Sequence, residues 1–441
     1  MTTTPLPTAR HRRTVLAAVF GNLIEQFDWL AFGLFAPMFA GQFFPSADPV
    51  SSLLSTFAVF AAGMFCRPVG GILLARFADR RGRKPALMLA IVLMTGGSLL
   101  IGLSPTYAQI GVAAPLLLAV ARIAQGISAG GEWPSAVTFL MELAPKNRRC
   151  RYGSFFAITG AGGVMIASLL GAVLSGVLGS SAMAAYGWRA PFLLGGVFGL
   201  LLLVLRSRIG ESAVFERDVR AERTRGSLSA LLRGHWRSVL LTVVFVAGTT
   251  VVSSIWTAVV PAMGQRIAPA GEVYWVVVVC TLASMAVQIP IGMLGDRFGV
   301  HPLLAVFGAG CAVLGPFAYL GIGPSPVNLL FSYGSGILFI TFLTAAMPTV
   351  MAAMYPARLR TIGIGLPHSV TTALFGGVTP WLATYLAGRG ASGWFIAGAV
   401  VTVLAAWGAA IVAVRRASRP RAEDGGARPI GTTVTTYDTA A

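Results

Sequence analysis

The sequence predicts an all-α polytopic membrane protein of about 12 transmembrane helices, arranged as two six-helix bundles. Three observations carry this. Of the 441 residues, 56% are hydrophobic and only 11% charged, against roughly 25% charged in soluble domains. The apolar residues gather into runs near 14–40, 52–78, 86–104, 113–141, 152–179, 189–207, 238–262, 273–294, 302–322, 327–354, 361–387 and 393–414, and about 20 such residues cross a bilayer. The halves also echo one another. Asp79 and Asp296 stand 217 positions apart, and Pro145 and Pro356 stand 211 apart, which suits two parallel six-helix repeats.

Charge placement orients the runs. Of 33 Lys and Arg, 28 lie in the tails and alternate gaps on one side, and only Arg189, Arg266 and Arg389 lie on the other. By the positive-inside rule both termini are cytoplasmic. A net charge of +18 could suit nucleic acid, but the cations are spread over short gaps and form no basic face, so no nucleic-acid partner is expected. The predicted organisation is an N-terminal cytoplasmic tail at 1–13, a six-helix bundle at 14–207, a cytoplasmic linker at 208–237, a second bundle at 238–414 and a disordered cytoplasmic tail at 415–441. The linker, with Glu211, Glu216, Asp218 and Glu222 among its arginines, reads as solvated and partly helical. The four cysteines lack metal-type spacing and read as small packing residues, so no metal and no cofactor is expected. The first run is too long for a signal peptide, and no small-x-small cleavage site follows it.

Within the spans, ionisable residues are rare and informative. Span one contains GNLIEQFDWLAF, in which Glu25 and Asp28 share a helix face at i, i+3. Acids at membrane depth are costly and face a protein interior or a water-filled path. Arg67 lies in span two and Arg122 in span four, with Gln125 and Gly126 on the face of Arg122. A buried arginine needs a carboxylate or an anionic ligand. Arg122 therefore reads either as a structural partner of Glu25 or Asp28, or as the group that couples their protonation to cavity opening. Arg67 reads as a ligand for a substrate carboxylate or as structural. Glu132, in GGEW, reads mainly as packing, and Glu142 as a solvated charge at a helix end.

The second half has no carboxylate inside a span. His368 is its one buried ionisable residue, either a hydrogen-bonded packing group or a titrating contact. Trp256, Tyr333 and Thr344 are weaker candidates for cavity contact. The span-five string GAGGV reads as close helix packing. No Lys-Ser/Thr follows it as a phosphate loop requires, so ATP driving is not expected. Neither HExxH nor a nucleophile–base arrangement is present, which argues against an intramembrane enzyme.

Between spans two and three, Gly71–Lys84 reads GILLARFADRRGRK, and GMLGDRFGV follows span eight. The first string resembles the signature of the major facilitator superfamily. The resemblance implies a gating motif of Gly71, Asp79, Arg80, Gly82 and Arg83, with Asp296 and Arg297 in a degraded second copy where Val300 and His301 replace the usual arginines. Asp79 is expected to pair with Arg83 and cap the following helix. The stretches GNLIEQFDWLAFG, FFPSADP, CRPVGG, IGVAAPLLLAVARIAQGISAGGEW and YGWRAPFLLGG resemble the metabolite:proton symporter branch, which carries α-ketoglutarate, citrate, shikimate and proline/betaine. That branch usually has an aromatic residue where Gln26 stands here.

The resemblance implies proton-coupled import, by alternating access, of a small organic acid such as a di- or tricarboxylate. It implies a bacterial inner-membrane location, with protons, a small molecule and lipid as partners, and a functional monomer. Glu25, Asp28 and Arg122 would couple the proton, while Asn22, Gln26, Arg67, Trp256 and His368 would contact substrate. A zwitterionic osmolyte such as proline or betaine is the alternative, with Phe27, Trp29 and Phe32 supplying part of an aromatic cage. Proton-driven efflux is a third reading. A non-transporting sensor would ask for an added signalling domain, which the sequence does not suggest.

Overall fold

The computed structural model describes residues 9–130, 137, 140–141, 144–207, 228–356 and 359–417. Glu132, Glu142, Arg358, most of the linker and the ends of both tails lie outside the described residues, as do the side chains of Asp79 and Arg83. Twelve long helices follow in order: α1 Ala9–Phe43, α2 Pro49–Arg81, α3 Arg83–Leu103, α4 Ala113–Ser128, α5 Arg149–Ala185, α6 Ala190–Ser207, α7 Leu228–Ser254, α8 Ala270–Phe298, α9 Val300–Leu320, α10 Pro326–Ala353, α11 Arg360–Gly388 and α12 Ser392–Ala417. Among the described residues, nine helices are long and apolar enough to cross a membrane. α7 continues through a π-helical turn, Ile255–Val259, into a further helix, Val260–Ile267. It begins ten residues before the predicted span, inside the segment read as a partly helical linker.

Local chemistry sets the helix ends. Asp48 caps α2 by accepting from the Val50 and Ser51 amides, with Pro49 at the first helical position, where a missing N–H costs nothing. α2 turns into α3 through Gly82 at φ 91°, and α8 turns into α9 through Gly299 at φ 83°. Both lie in the left-handed region that favours glycine. They stand 217 positions apart, the same offset as Asp79 and Asp296.

α2 packs on α4, α3 on α4 and α6, and α1 on α5, while α8 and α9 pack on α10 and α7 on α11 and α12. Helices of the first six meet those of the last six along α5–α8, α5–α10 and α2–α11. The α2–α4 contact is backbone against backbone. A Cβ on Gly126 would sit 2.0 Å from the Gly63 carbonyl oxygen, and one on Gly130 would sit 2.2 Å from the Gly71 nitrogen. Small residues permit this approach, and in lipid such packing drives helix association. The GAGGV stripe does the same for α1 and α5: a Cβ on Gly163 would fall 2.6 Å from the Phe27 nitrogen.

We expect Gly126→Val to force α2 and α4 apart at a cost of about 1–3 kcal/mol or more, lowering the midpoint of thermal unfolding in detergent. Gly41→Ala, where an added Cβ meets nothing within 4 Å, should leave that midpoint unchanged. Equal midpoints for both variants would contradict the close-packing reading.

Candidate functional site

A cavity of about 340 Å³ lies between the first six helices and the last six. α1, α2 and α5 line one wall, and α7, α8, α10 and α11 line the other. Contacts bound it at both ends. Toward the end where α1 begins, Asp296 at the end of α8 accepts from the Cys150 amide at 2.9 Å and lies 3.7 Å from the Arg151 guanidinium. A carboxylate at a helix N-terminus is favoured by the exposed amides there, so Asp296 joins α8 to α5. At the opposite end Gln265 donates to the Leu34 carbonyl at 2.8 Å, and Phe35 stacks on Tyr274 with ring centroids 5.2 Å apart. Of the other residues in the two motif copies, Gly71 packs against Gly130, Arg80 and Arg297 are exposed, and Arg297 lies over the Phe298 ring.

The span-one acids take different partners. Glu25 is bound by Arg67 at 2.9 Å, and both side chains are largely buried. Asp28 accepts from the Ser98 hydroxyl and from the Gln125 side-chain amide. Gln125 in turn accepts from the Arg122 guanidinium at 2.7 Å. Arg122 is fully buried, and its guanidinium carbon lies 4.1 Å from the Trp29 ring centroid, 4.3 Å from that of Phe32 and 5.1 Å from that of Phe60. Cation–π attraction is worth about 2 kcal/mol or more when desolvated, which offsets part of the cost of the buried charge. Arg67 also lies 5.1 Å from the Trp29 centroid, so one indole touches both arginines.

Helix periodicity explains the grouping. Asn22, Gln26, Trp29 and Gly33 recur at three- and four-residue steps along α1 and face the cavity, whereas Asp28 faces α3 and α4. Of the residues expected to contact substrate, Asn22, Gln26, Arg67 and His368 line the cavity, as do Tyr333 and Thr344. Asn22 is also held by Thr159 at 2.7 Å. Trp256 is a correction. The π turn carries Thr257 and Ala258 onto the cavity, while the Trp256 ring is buried against α10, where a Cβ on Gly336 would fall 2.1 Å from it. Of the two readings of Arg122, the structural pair with a span-one acid takes the form of a link through Gln125 to Asp28. Phe27 and Phe32 are fully buried and do not border the cavity.

Sequence reasoning missed two features. Ser98, a lone hydroxyl in the apolar string TGGSLL, has no mark that would single it out. The hydroxyl wall was findable, because TTVVSSIWT in α7 repeats polar residues inside an apolar run. Thr249, Thr250, Ser253, Ser254 and Thr257 from that string line the cavity.

Membrane-length helices around a largely apolar cavity, with contacts between the two sets of helices on either side of it and a buried charge network behind it, define a multi-pass transporter of the major facilitator type. The family described as Sugar (and other) transporter matches residues 14–236. The Alpha-ketoglutarate permease of Escherichia coli (strain K12) is 33% identical over 86% of this chain and 88% of its own length. The Citrate-proton symporter of Klebsiella pneumoniae is 33% identical, with 84% of each chain covered. A Staphylococcus aureus (strain COL) protein provisionally named a proline/betaine transporter is also 33% identical, over 85% of this chain and 82% of its own. In fold, the crystal structure of a D-xylose-proton symporter matches with a TM-score of 0.70 at 16% identity, covering 91% of this chain and 97% of the other. The chain belongs to the Sugar (and other) transporter family, and it is a transporter rather than an enzyme.

Removing one partner of a buried pair leaves an uncompensated charge, which costs about 3–5 kcal/mol. Arg67→Gln should therefore lower the unfolding midpoint sharply. The neutral double variant Glu25→Gln/Arg67→Gln should recover most of that loss. Additive losses in the double variant would show that the pair is not coupled.

Proposed function

We propose that the protein is a proton-coupled symporter that imports a small organic acid by alternating access. The observation that carries this reading is the Glu25–Arg67 pair. Arg67 borders the cavity and Glu25 lies behind it, so protonation of the acid and binding of an anion compete for one guanidinium. Asp28 and Arg122, joined through Gln125, form a second station at which a proton neutralises a buried carboxylate before reorientation. The family supports transport, and relatives named for citrate–proton symport and α-ketoglutarate permeation put di- and tricarboxylates first among candidate substrates.

The six-helix halves at 14–207 and 238–414 would rock about the cavity, tethered by the linker at 208–237. The positive-inside asymmetry supports cytoplasmic termini in a bacterial inner membrane, with a single copy of the chain as the working unit. A zwitterionic osmolyte is the second reading. It rests on the proline/betaine relative and on the aromatic residues Trp29, Phe60, Phe156 and Tyr333 at the cavity wall.

Uptake of labelled carboxylates and betaine into proteoliposomes, with and without an inward proton gradient, tests this. A carboxylate should accumulate only with the gradient. Asp28→Asn should abolish accumulation yet leave exchange of internal for external substrate intact. Uptake of betaine but no carboxylate would favour the second reading. Gradient-independent uptake, with Glu25→Gln and Asp28→Asn both fully active, would remove the proton site.

A further inference from the structure

Asp28 is buried inside the first six helices, turned to α3 and α4 and away from the cavity. A proton that neutralises it there needs a way out. Three helices meet at its level: Ser98 on α3 donates to Asp28, and a Cβ on Gly195 of α6 would fall 3.1 Å from Asp28 Oδ1. Seven residues along each helix, toward the end where α1 begins, stand Gly21, Ile91 and Leu202. Seven residues make about 10 Å of helix, and positions seven apart share a face. α4 follows the same course, with Ser128 three residues past Gln125. Between these faces lies a void of about 20 Å³, bordered by Thr95, Ser128, Gly195 and Gly199 and, at its far end, by Gly21, Ile91 and Leu202.

Such a void has room for one water, which needs about 10–15 Å³ and two to four polar partners. Thr95 is 5% exposed, and its hydroxyl has no partner among the described residues. Ser128 gives its proton to the Ala90 carbonyl at 2.7 Å and so presents lone pairs. Asp28 Oδ1 lies against the bare face of Gly195. Glycine is needed at 199 as well, because a Cβ there would fall 2.1 Å from Thr95 Oγ1. The far end is different in kind. Ile91 and Leu202 pack with Ile24 in a small apolar cluster of their own, apart from the large cores. An apolar constriction next to a polar chamber gates by excluding water.

We propose that this void is a water site through which the proton leaves Asp28 for the cytoplasm, with Thr95 orienting the water and Ile91 and Leu202 as an apolar plug. The inference rests on the symport reading above, in which Asp28 is a proton station and α1 begins on the cytoplasmic side. The route is separate from the substrate path, for the void and the cavity share no lining residue. In the transfer the Asp28 O–H bond breaks and the carboxylate stays beside Gln125. The water takes that proton and passes one of its own to water beyond the plug. The charged or titratable groups around Asp28 are Glu25 on α1, Arg67 on α2 and Arg122 on α4, the last through Gln125. α3, α5 and α6 are uncharged at that level, as is the whole lining of the void.

The test is proton entry into proteoliposomes carrying the purified full-length protein, with a pH dye inside, the membrane potential clamped and no substrate present. Leu202→Ser, which wets the plug, should acidify the lumen several-fold faster than the wild type. Adding Asp28→Asn or Thr95→Val to Leu202→Ser should remove that excess. In an otherwise unchanged chain, Thr95→Val should slow gradient-driven uptake of labelled 2-oxoglutarate, citrate or betaine several-fold. It should leave exchange of internal for external substrate at the wild-type rate, and Thr95→Ser should restore uptake. Leu202→Ser vesicles as tight as the wild type, or a leak that persists with Asp28→Asn, would overturn the route and leave symport standing. If Leu202→Ser does not fold, Thr95→Val decides: uptake and exchange slowed together, or neither slowed, would overturn it. A wild type whose uptake of all three compounds ignores the gradient would remove the symport reading and this route with it.

Discussion

Charge buried in a bilayer-spanning protein has to be balanced where it sits, and this constraint organises the first half of the molecule. Attraction between unit charges 4 Å apart is about 4 kcal/mol at an effective dielectric of ~20. Removing each ion from water costs several kcal/mol. For Glu25 and Arg67, held at 2.9 Å, the two effects are of similar size. On the symport reading proposed above, the pair holds while both members are charged and is redirected by a proton or a competing anion. Arg122 meets the same constraint differently. Three aromatic rings surround its guanidinium and a neutral glutamine carries its influence to Asp28. In the proposed cycle this neutral bridge carries a change in protonation without locking the two charges together.

That balance depends on geometry that charge alone does not supply. α2 and α4 bring their arginines beside α1 because glycines at positions 63, 70, 71, 126 and 130 let backbone approach backbone. Gly163 lets α5 do the same against α1. Among the described residues of the second half, Gly248 meets the Thr402 carbonyl in this way, and this half presents hydroxyls to the cavity. One half therefore holds the charge and the other supplies neutral polar contacts. Contacts through Asp296 at one end and through Leu34 and Tyr274 at the other bring the halves together on both sides of the cavity.

Much of the fold was legible in the sequence because the length of an apolar run is a strong, additive signal. The helix boundaries moved by only a few residues at most ends. The repeat was legible through Asp79 and Asp296, and the positive-φ glycines at 82 and 299 repeat its offset. The site was legible in composition but not in pairing. Glu25, Asp28, Arg67 and Arg122 announced themselves as charges in apolar runs. Which acid meets which arginine depends on helix rotation and on the depth at which three helices cross, and periodicity along one helix carries neither. Trp256 was singled out as an aromatic in an apolar run, and residue type does not say which way a side chain inside a π turn points; its ring packs against Gly336 of α10. Ser98 was invisible because a single serine in an apolar helix most often satisfies its own backbone; its hydroxyl lies 3.1 Å from the Met94 carbonyl, but its one proton goes to Asp28.

Charge balance through the transport cycle has one direct readout. Proteoliposomes carrying the protein and adsorbed on a capacitive electrode report net charge movement when a transported acid is added at zero membrane potential, while an entrapped dye reports internal pH. If each carboxylate enters with one proton, the lumen acidifies with no sustained current. A steady current carried with the acid, or uptake without acidification, would contradict the balance attributed to Glu25 and Arg67.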